Sequence, residues 1–448
     1  MMAEEKTMKE IVSLLKRRGF VYPSSEIYGG FGASYDYGPL GVEMINNIKN
    51  LWRADVIRAH TQVVEADGAI ILNPRTWEAS GHLGSGFADS LVECQQCHHR
   101  FKEEEIKDQQ CPDCGGKTTE PRSYNLMMKT FVGPVENTQS QAYLRPETCQ
   151  SIFLNFRLVT DSMRMKLPFG VAQIGKSFRN EINPKNFLYR QREFEQMEME
   201  WFTPEAEAKE WFEYWKERRL QWYLDLGLKK ENLRLYEVPA DELAHYARRA
   251  VDVEYKFPFG WHEIEGIHNR GDFDLSNHSR HSGRELKYSD ADYPEPFYPH
   301  VIETSAGVGR LMLAFICDAY QKISGGRDQE SQRSEEVVMQ LSPKLAPVEV
   351  AVFPLMKKPE LVAKAKEVFE QLKFSFRVQY DETGSIGRRY RRQDEIGTYL
   401  SVTIDFDSLK QQDVTVRDRI SMKQVRVEIK NLPSALKQFL TKGSFNEG

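Results

Sequence analysis

The sequence predicts an α+β protein: an antiparallel sheet flanked by helices, a small cysteine-bearing insertion within it, and a separate C-terminal α/β domain. Three observations carry this expectation. Strand-like text dominates from Phe169 to Phe202, broken only by the polar segment Asn183 to Gln191, which is the pattern of two strands joined by a long loop. Four of the six cysteines crowd between Cys94 and Cys114. After residue 347, VEVAVFPL, FRVQYD, YLSVTID, DVTVRD and VRVEIK read as strands, and Leu361, Ala365, Val368 and Leu372 form a helix face among them. The expected divisions are 1–335, with an insertion at 90–121, a linker at 336–347 and a last domain at 348–448.

In chain order, Leu40, Met44, Ile48, Leu51 and Val56 recur at helical spacing behind the Gly38-Pro39 entry, so a long amphipathic helix is expected there, with one face against a sheet or another subunit. Trp211 to Leu226 resumes a helical pattern. The polar, aromatic-rich stretch after Pro239 shows no clear period and receives no element. At Val301-Ile302 a strand is expected, then a glycine-bearing turn from Ser305 to Gly309, then a helix from Leu311 to Ala319. Gly325 to Pro347 is polar and marks the junction. A short basic helix is expected around Gly387 to Arg392.

Composition excludes several function classes. Forty per cent apolar and 28% charged residues describe an ordinary water-soluble enzyme, and no apolar run approaches the roughly 18 residues of a spanning helix. The opening MMAEEKTMKEIVSLLKRRGF lacks the apolar core of a secretory signal, which points to the cytoplasm. A net charge of −5 argues against a general nucleic-acid coat protein while leaving room for a local binding face. Cys149 and Cys317 sit in apolar text and are expected to be core thiols. The other four cysteines form Cys94-x2-Cys97, thirteen residues, then Cys111-x2-Cys114, a spacing that presents four thiolates to one tetrahedral zinc. Four protein thiolates leave no open position, so the zinc is expected to be structural.

Two short patterns mislead. Gly170 to Ser177 satisfies GxxxxGK[ST] literally, but a phosphate loop needs a preceding strand and a helix starting near its lysine, and here the pattern's own residues are strand-like. His82-Leu83-Gly84 resembles a class I synthetase signature whose last position is Ser85 here.

The chemistry-bearing text lies on the paired strands. Arg179-Asn180-Glu181, and Tyr189-Arg190-Gln191-Arg192-Glu193-Phe194 after the loop, place guanidinium groups for bidentate phosphate contacts and a ring for a purine. Glu198 and Glu200 share a strand face, because side chains two apart point the same way. Together with Glu303 to Arg310, these segments resemble motifs 2 and 3 of class II aminoacyl-tRNA synthetases, and Gly38-Pro39-Leu40-Gly41 through Asn73-Pro74 resembles motif 1. Within that class the chain is similar to the glycyl-tRNA synthetases. KRRGFVYPSSEIYGGFGASYDYGPLG, LRPETCQSIFLNF, REFEQMEMEWF and NRGDFDLSNH carry the likeness, which extends through the last domain.

The resemblance implies ATP, glycine and tRNA(Gly) as substrates, Mg²⁺ and a structural zinc at Cys94, Cys97, Cys111 and Cys114, and a homodimer with its two-fold axis at the motif 1 helices. It implies catalytic roles for Arg179, Glu181 and Arg310. ATP contacts are implied at Arg179, Asn180 and Glu181, from Tyr189 to Phe194 (Tyr189, Arg190, Gln191, Arg192, Glu193, Phe194), at Glu285 and Leu286, and at Gly307, Val308, Gly309 and Arg310. Glycine contacts are implied at Arg100, Glu147, Phe194, Glu195, Gln196, Met197, Glu198, Arg270, Glu303, Thr304, Ser305, Ala306 and Gly307, with Glu147, Glu198 and Glu303 around the ammonium. Gly309 and Thr304 depart from the motif 3 text common in the family, where an acidic residue and a proline stand. The last domain is expected to bind the anticodon, with Arg388, Arg389, Arg391 and Arg392 around Tyr390 as candidate contacts. Lys102, Lys107 and Arg100 are candidates for the acceptor stem. The competing readings are a class II enzyme for another small amino acid, a phosphate-loop hydrolase, and a catalytically inactive paralogue serving as an accessory or nucleic-acid-binding subunit.

Overall fold

The computed structural model describes residues 2–182, 184–325, 327 and 335–442. Its centre is a seven-stranded sheet. From one edge to the other the strands are Leu233–Glu237, Arg249–Phe257, Gly260–Gly271, His300–Gly307, Glu193–Thr203, Phe169–Phe178 and Val63–Glu65. All neighbours are antiparallel except the last pair.

Period-two alternation gives this sheet two different faces. Met197, Met199, Trp201, Ile302 and Ala306 point to the back, into the main apolar core with Trp52, Trp215, Leu311 and Met312. That core is supplied by the helices Pro39–Trp52, Ala208–Asp225 and Val308–Ala319. Each of its fully buried large apolar side chains contributes about 1.5–3 kcal/mol. Glu198, Glu200 and Phe202 point forward, where Phe202 joins a second apolar cluster with Phe153, Phe156, Phe169 and Leu275. The front face thus has an apolar end and a charged end.

The expected motif 1 helix runs over Pro39–Trp52 and continues as one wide turn, Arg53–Arg58. Its Met44, Ile45, Ile48 and Trp52 are buried in this chain's own core. The stretch after Pro239, left without an element above, forms the two longest outer strands, Arg249–Phe257 and Gly260–Gly271, and the helix Phe273–Ser282. Two register shifts explain why no period was visible. Ile264 and Arg270 are extra residues in the Gly260–Gly271 strand, so the faces change phase within it. The first shift is fixed from behind. Fully buried Arg219 donates to Glu265 at 2.8 Å and to Asp55 at 2.7 Å, while Tyr223 donates to Glu265 at 2.6 Å.

The phosphate-loop pattern lies inside the strand Phe169–Phe178, paired along its length, which removes the hydrolase reading. The glycine turn expected between Ser305 and Gly309 is likewise absent: the strand continues to Gly307 and the helix starts at Val308. Part of the expected linker is ordered differently, since Glu335–Met339 pairs antiparallel with Tyr320–Ser324; residues 326 and 328–334 of the junction lie outside the described residues. The cysteine segment builds a three-stranded sheet from Ala88–Glu93, Arg100–Lys102 and Arg122–Asn125. Beyond residue 347, a five-stranded sheet runs Val378–Tyr380, Val350–Pro354, Leu400–Ile404, Asp413–Asp418, Gln424–Glu428, and Leu361, Ala365, Val368 and Leu372 of the helix Pro359–Leu372 are fully buried against it.

Candidate functional site

The charged end of the front face is a cavity of about 330 Å³. Three neighbouring strands supply its floor, because register places Glu198 beside Ser305, Glu200 beside Glu303, and Glu303 beside His268. Glu147 enters from the segment before the helix Gln150–Leu154, and the segment 239–247 brings Glu242, Ala244 and Tyr246 across the cavity.

Three of the floor carboxylates, Glu198, Glu303 and Glu147, are fixed by hydrogen bonds. Glu198 accepts from Ser305 Oγ at 2.7 Å, from Gln196 at 3.1 Å and from the Thr148 backbone N–H at 2.8 Å, and the Thr148 hydroxyl also donates to it. Glu303 accepts from Arg270 at 2.8 Å and contacts His268 Nδ1 at 2.7 Å. Arg270 also grips Asp274 with two nitrogens, at 2.7 and 3.0 Å. Glu147 faces His82 Nε2 at 3.3 Å and accepts from Gln150 at 3.0 Å. His82, the decoy of the class I pattern, therefore supports this floor.

These environments push the acids apart. Burial raises Glu303, but Arg270 and the His268 hydrogen bond hold it below the ordinary carboxylate value. Glu147 is also held well below it, with burial outweighed by His82 and Arg270. Glu198 has no cation of its own, and burial with the charges of Glu303 and Glu147 drives it up to about 7. Glu200 is fully buried, neither carboxylate oxygen has a partner, and burial raises it further. The floor thus holds more carboxylates than cations.

The other end of the cavity is cationic. Arg310 pairs with Glu263 at 3.0 Å, donates to the Tyr189 carbonyl at 3.2 Å and lies 4.6 Å from the Tyr189 ring centroid. Arg179 donates to the Pro146 carbonyl at 3.1 Å and sits over the Phe194 ring at 5.4 Å. Arg190 pairs with Glu181 at 3.6 Å. Asp252 lies here too, raised to about 7 by burial and by Glu263. The space beside Gly309 is taken, as a Cβ there would lie 2.4 Å from Gln191 Nε2 and 2.9 Å from the Tyr37 hydroxyl.

Of the residues singled out in the sequence, Glu147, Arg179, Glu181, Tyr189, Arg190, Gln191, Phe194, Gln196, Glu198, Glu303, Ser305, Gly307, Gly309 and Arg310 line this cavity together. Arg270 stands directly behind it. The structure does not bring the side chains of the others there, and alternation accounts for those on the two central strands, Glu193, Glu195, Met197, Thr304 and Ala306. Glu193 pairs with Lys176 at 3.0 Å and Glu195 with Lys49 at 3.1 Å, while Met197, Ala306 and Val308 belong to the back core and Thr304 is buried between their strands. Asn180 pairs its backbone with Leu126, and Arg192 donates to the carbonyls of Glu181 and Gly32. Glu285 pairs with Lys287 at 3.1 Å, and Leu286 is buried in the front apolar cluster. Arg100 lies on the cysteine module, paired with Glu93 at 2.9 Å. Lining residues absent from the sequence reading include Glu242, Tyr246, Asp252, Glu263, Gly266 and His268. Asp252, Glu263 and His268 lie on two neighbouring strands, but the extra residue Ile264 hides their common face.

The four module cysteines converge, with ligand atoms all within 4.8 Å of one another and Sγ pairs Cys94–Cys114 at 3.5 Å and Cys97–Cys111 at 3.7 Å. None is in a disulfide. Backbone N–H groups of Cys97 and Gln96 point at the Cys94 sulfur and lower its pKa to about 6. Thiolate-favouring amides and sulfurs at this spacing fit a tetrahedral zinc, whose bonds of about 2.3 Å put sulfurs a little under 4 Å apart. In the last domain, Tyr390 is not a free stacking ring: its hydroxyl bonds Thr403 at 2.6 Å and Arg417 covers its face at 4.7 Å. Arg389 is buried on the Glu382 and Gly384 carbonyls, and Arg392 pairs with Asp381. Arg388 remains exposed.

Comparison with known proteins agrees along the whole chain. Residues 131–319 match the tRNA synthetase class II core domain (G, H, P, S and T), and residues 349–439 match an anticodon binding domain. A glycine–tRNA ligase of Thermobifida fusca is 49% identical, covering 98% of this chain and 99% of its own length. Glycine–tRNA ligases of Treponema denticola and Streptomyces coelicolor are each 48% identical, over 96% and 95% of this chain and 96% and 97% of their own.

Proposed function

The chain belongs to the glycine–tRNA ligase family of class II synthetases, and we propose that the charged cavity activates glycine with ATP and passes it to the 3′ end of tRNA(Gly). The observation that carries the reading is the excess of carboxylate over cation on the cavity floor. Glu147, Glu198 and Glu303 converge where one more positive charge is needed, and a glycine ammonium supplies it. A substrate with no side chain is recognised by its charged ends and by the absence of space beyond its Cα.

In the first step a glycine carboxylate oxygen attacks the α-phosphorus of ATP in line, forming glycyl-adenylate and releasing pyrophosphate. Arg179 and Arg310, held at the cationic end by carbonyls and Glu263, stabilise the charge that develops on the transferring phosphorus. Phe194 offers a ring face for the nucleotide. In the second step the 3′-terminal ribose hydroxyl of tRNA attacks the activated carbonyl, and AMP leaves. No side chain becomes covalently attached. The rate comes from positioning and preorganised charge.

Asp252 and Glu263 at the ATP end are oxygen donors of the kind Mg²⁺ takes, and the ion would offset phosphate charge when bound. Zinc at the four cysteines would fix the module's fold and take no part in the chemistry. Residues 348–448 would contact the anticodon. Ile27, Tyr28 and Phe31, exposed by 87%, 87% and 73%, support a homodimer in which a second copy covers them. Among the described residues no helix is long and apolar enough to cross a membrane. Charging of tRNA(Gly) with labelled glycine tests this reading, which predicts glycyl-tRNA only when ATP is present. An inactive accessory protein would form none.

A further inference from the structure

From the way the segment 239–247 closes over the floor carboxylates, we infer that Tyr246 is a specificity-determining residue, whose ring forms the wall that rejects an amino acid bearing a β-carbon. The inference rests on the reading of the cavity as a glycine site and adds the residue that limits its size.

Tyr246 lines the cavity, with its ring centroid 3.8 Å from the Arg270 guanidinium carbon. The ring is held edge-on to His268 at 6.3 Å and tilted to Phe273 at 6.5 Å. Arg270 and His268 are the two groups that bind Glu303, so the ring lies over the same end of the cavity as the ammonium-binding floor. His268 fills the space over the neighbouring strand: a Cβ placed on Gly266 would come within 2.6 Å of its ring, and Gly266 stands beside Ser305 in the sheet. Tyr246, His268 and the floor acids thus line one end of the cavity together, and a ligand whose ammonium sits among Glu147, Glu198 and Glu303 has its Cα beside the Tyr246 ring.

A rigid aromatic ring suits this task better than an aliphatic side chain. Stacked on a guanidinium that is itself fixed by two carboxylates, it has little freedom to move aside for a methyl group. The discrimination it supplies is steric, and the Tyr246 hydroxyl is not required for it.

The test is ATP–pyrophosphate exchange with glycine and with alanine, for the wild type, Tyr246→Phe and Tyr246→Ala. Tyr246→Ala should raise the alanine-to-glycine ratio of kcat/KM by about tenfold or more, the usual worth of one methyl group in a closed site, while Tyr246→Phe keeps the wild-type ratio. Should Tyr246→Ala exchange too weakly to measure, binding of the non-reactive sulfamoyl analogues of alanyl- and glycyl-adenylate gives the same ratio without turnover, and Tyr246→Leu supplies a second, better-filled variant. An unchanged ratio in the variants, beside glycine-dependent exchange in the wild type, overturns the inference alone. Absence of glycine-dependent exchange in the wild type overturns the reading of the cavity and this inference with it.

Discussion

Arg270 Nη1 donates to Glu303 Oε2 at 2.8 Å in a site where both side chains are buried, and the same guanidinium grips Asp274. The pair joins the floor of the cavity to the helix Phe273–Ser282 behind it. Arg270 is the extra residue of the second register shift, which allows its side chain to reach both acids. Removing one member of a buried ion pair leaves the other uncompensated. Arg270→Met should therefore cost about 3–5 kcal/mol of stability, read from urea unfolding midpoints at constant slope. A loss below about 1 kcal/mol would show that the acids find other partners.

The raised Glu198 makes glycine binding pH-dependent. Its carboxyl goes from an ordinary 4.5 to about 7 through burial and the charges of Glu303 and Glu147. A raised acid contributes stability that is complete below the unfolded value and is lost as pH rises through the folded one, so the ligand-free protein should weaken between about 4.5 and 7 from this group. A bound ammonium favours the ionised form and expels the proton. KM for glycine should fall as pH rises to about 7 and then level, and calorimetry in buffers of different ionisation enthalpy should show proton release below that pH. Glu198→Gln should abolish the release.

Much of this arrangement was legible in the sequence. The two strands around the polar loop, the helix at Pro39 and the terminal sheet have a regular period and formed where expected, and the four cysteines of strict spacing converge within a sheet that runs from Ala88 to Asn125. The alternation that marks Glu198 and Glu200 as one face was equally readable. Two things were not. Runs of text that resemble a family site assign whole segments, but a strand offers every second side chain, and those of Glu195, Met197, Thr304 and Ala306 lie on the face away from the cavity. The outer strands were illegible for a different reason: Ile264 and Arg270 shift the phase, and charged residues occupy both faces, with Glu263 forward and Glu265 behind against Arg219. Tyr246 lies in an irregular segment whose place is set by ring contacts with Arg270, His268 and Phe273, which no local period announces.

The cysteine cluster predicts a bound ion. Atomic absorption should find zinc equimolar with the protein, and Cys114→Ser or dialysis against a strong chelator should remove it and lower the temperature of unfolding. Full retention of stability without metal would contradict a structural role for the four thiols.

Arg310 is fixed by Glu263 and by the Tyr189 carbonyl before any substrate binds. Arg310→Ala should lower kcat for pyrophosphate exchange by about 10²–10³, the usual effect of deleting one preorganised charge stabiliser. A fall of less than tenfold in a variant with an unchanged circular dichroism spectrum would assign the stabilisation elsewhere.

The most direct test of the account is ATP–pyrophosphate exchange measured with each of the twenty amino acids, repeated with Glu303→Gln. The account predicts exchange with glycine alone, with a strongly raised KM for glycine in the variant because the floor loses a charge. Exchange with a different amino acid, or an unchanged glycine KM in Glu303→Gln, would contradict the claim that the buried carboxylates select glycine by its ammonium.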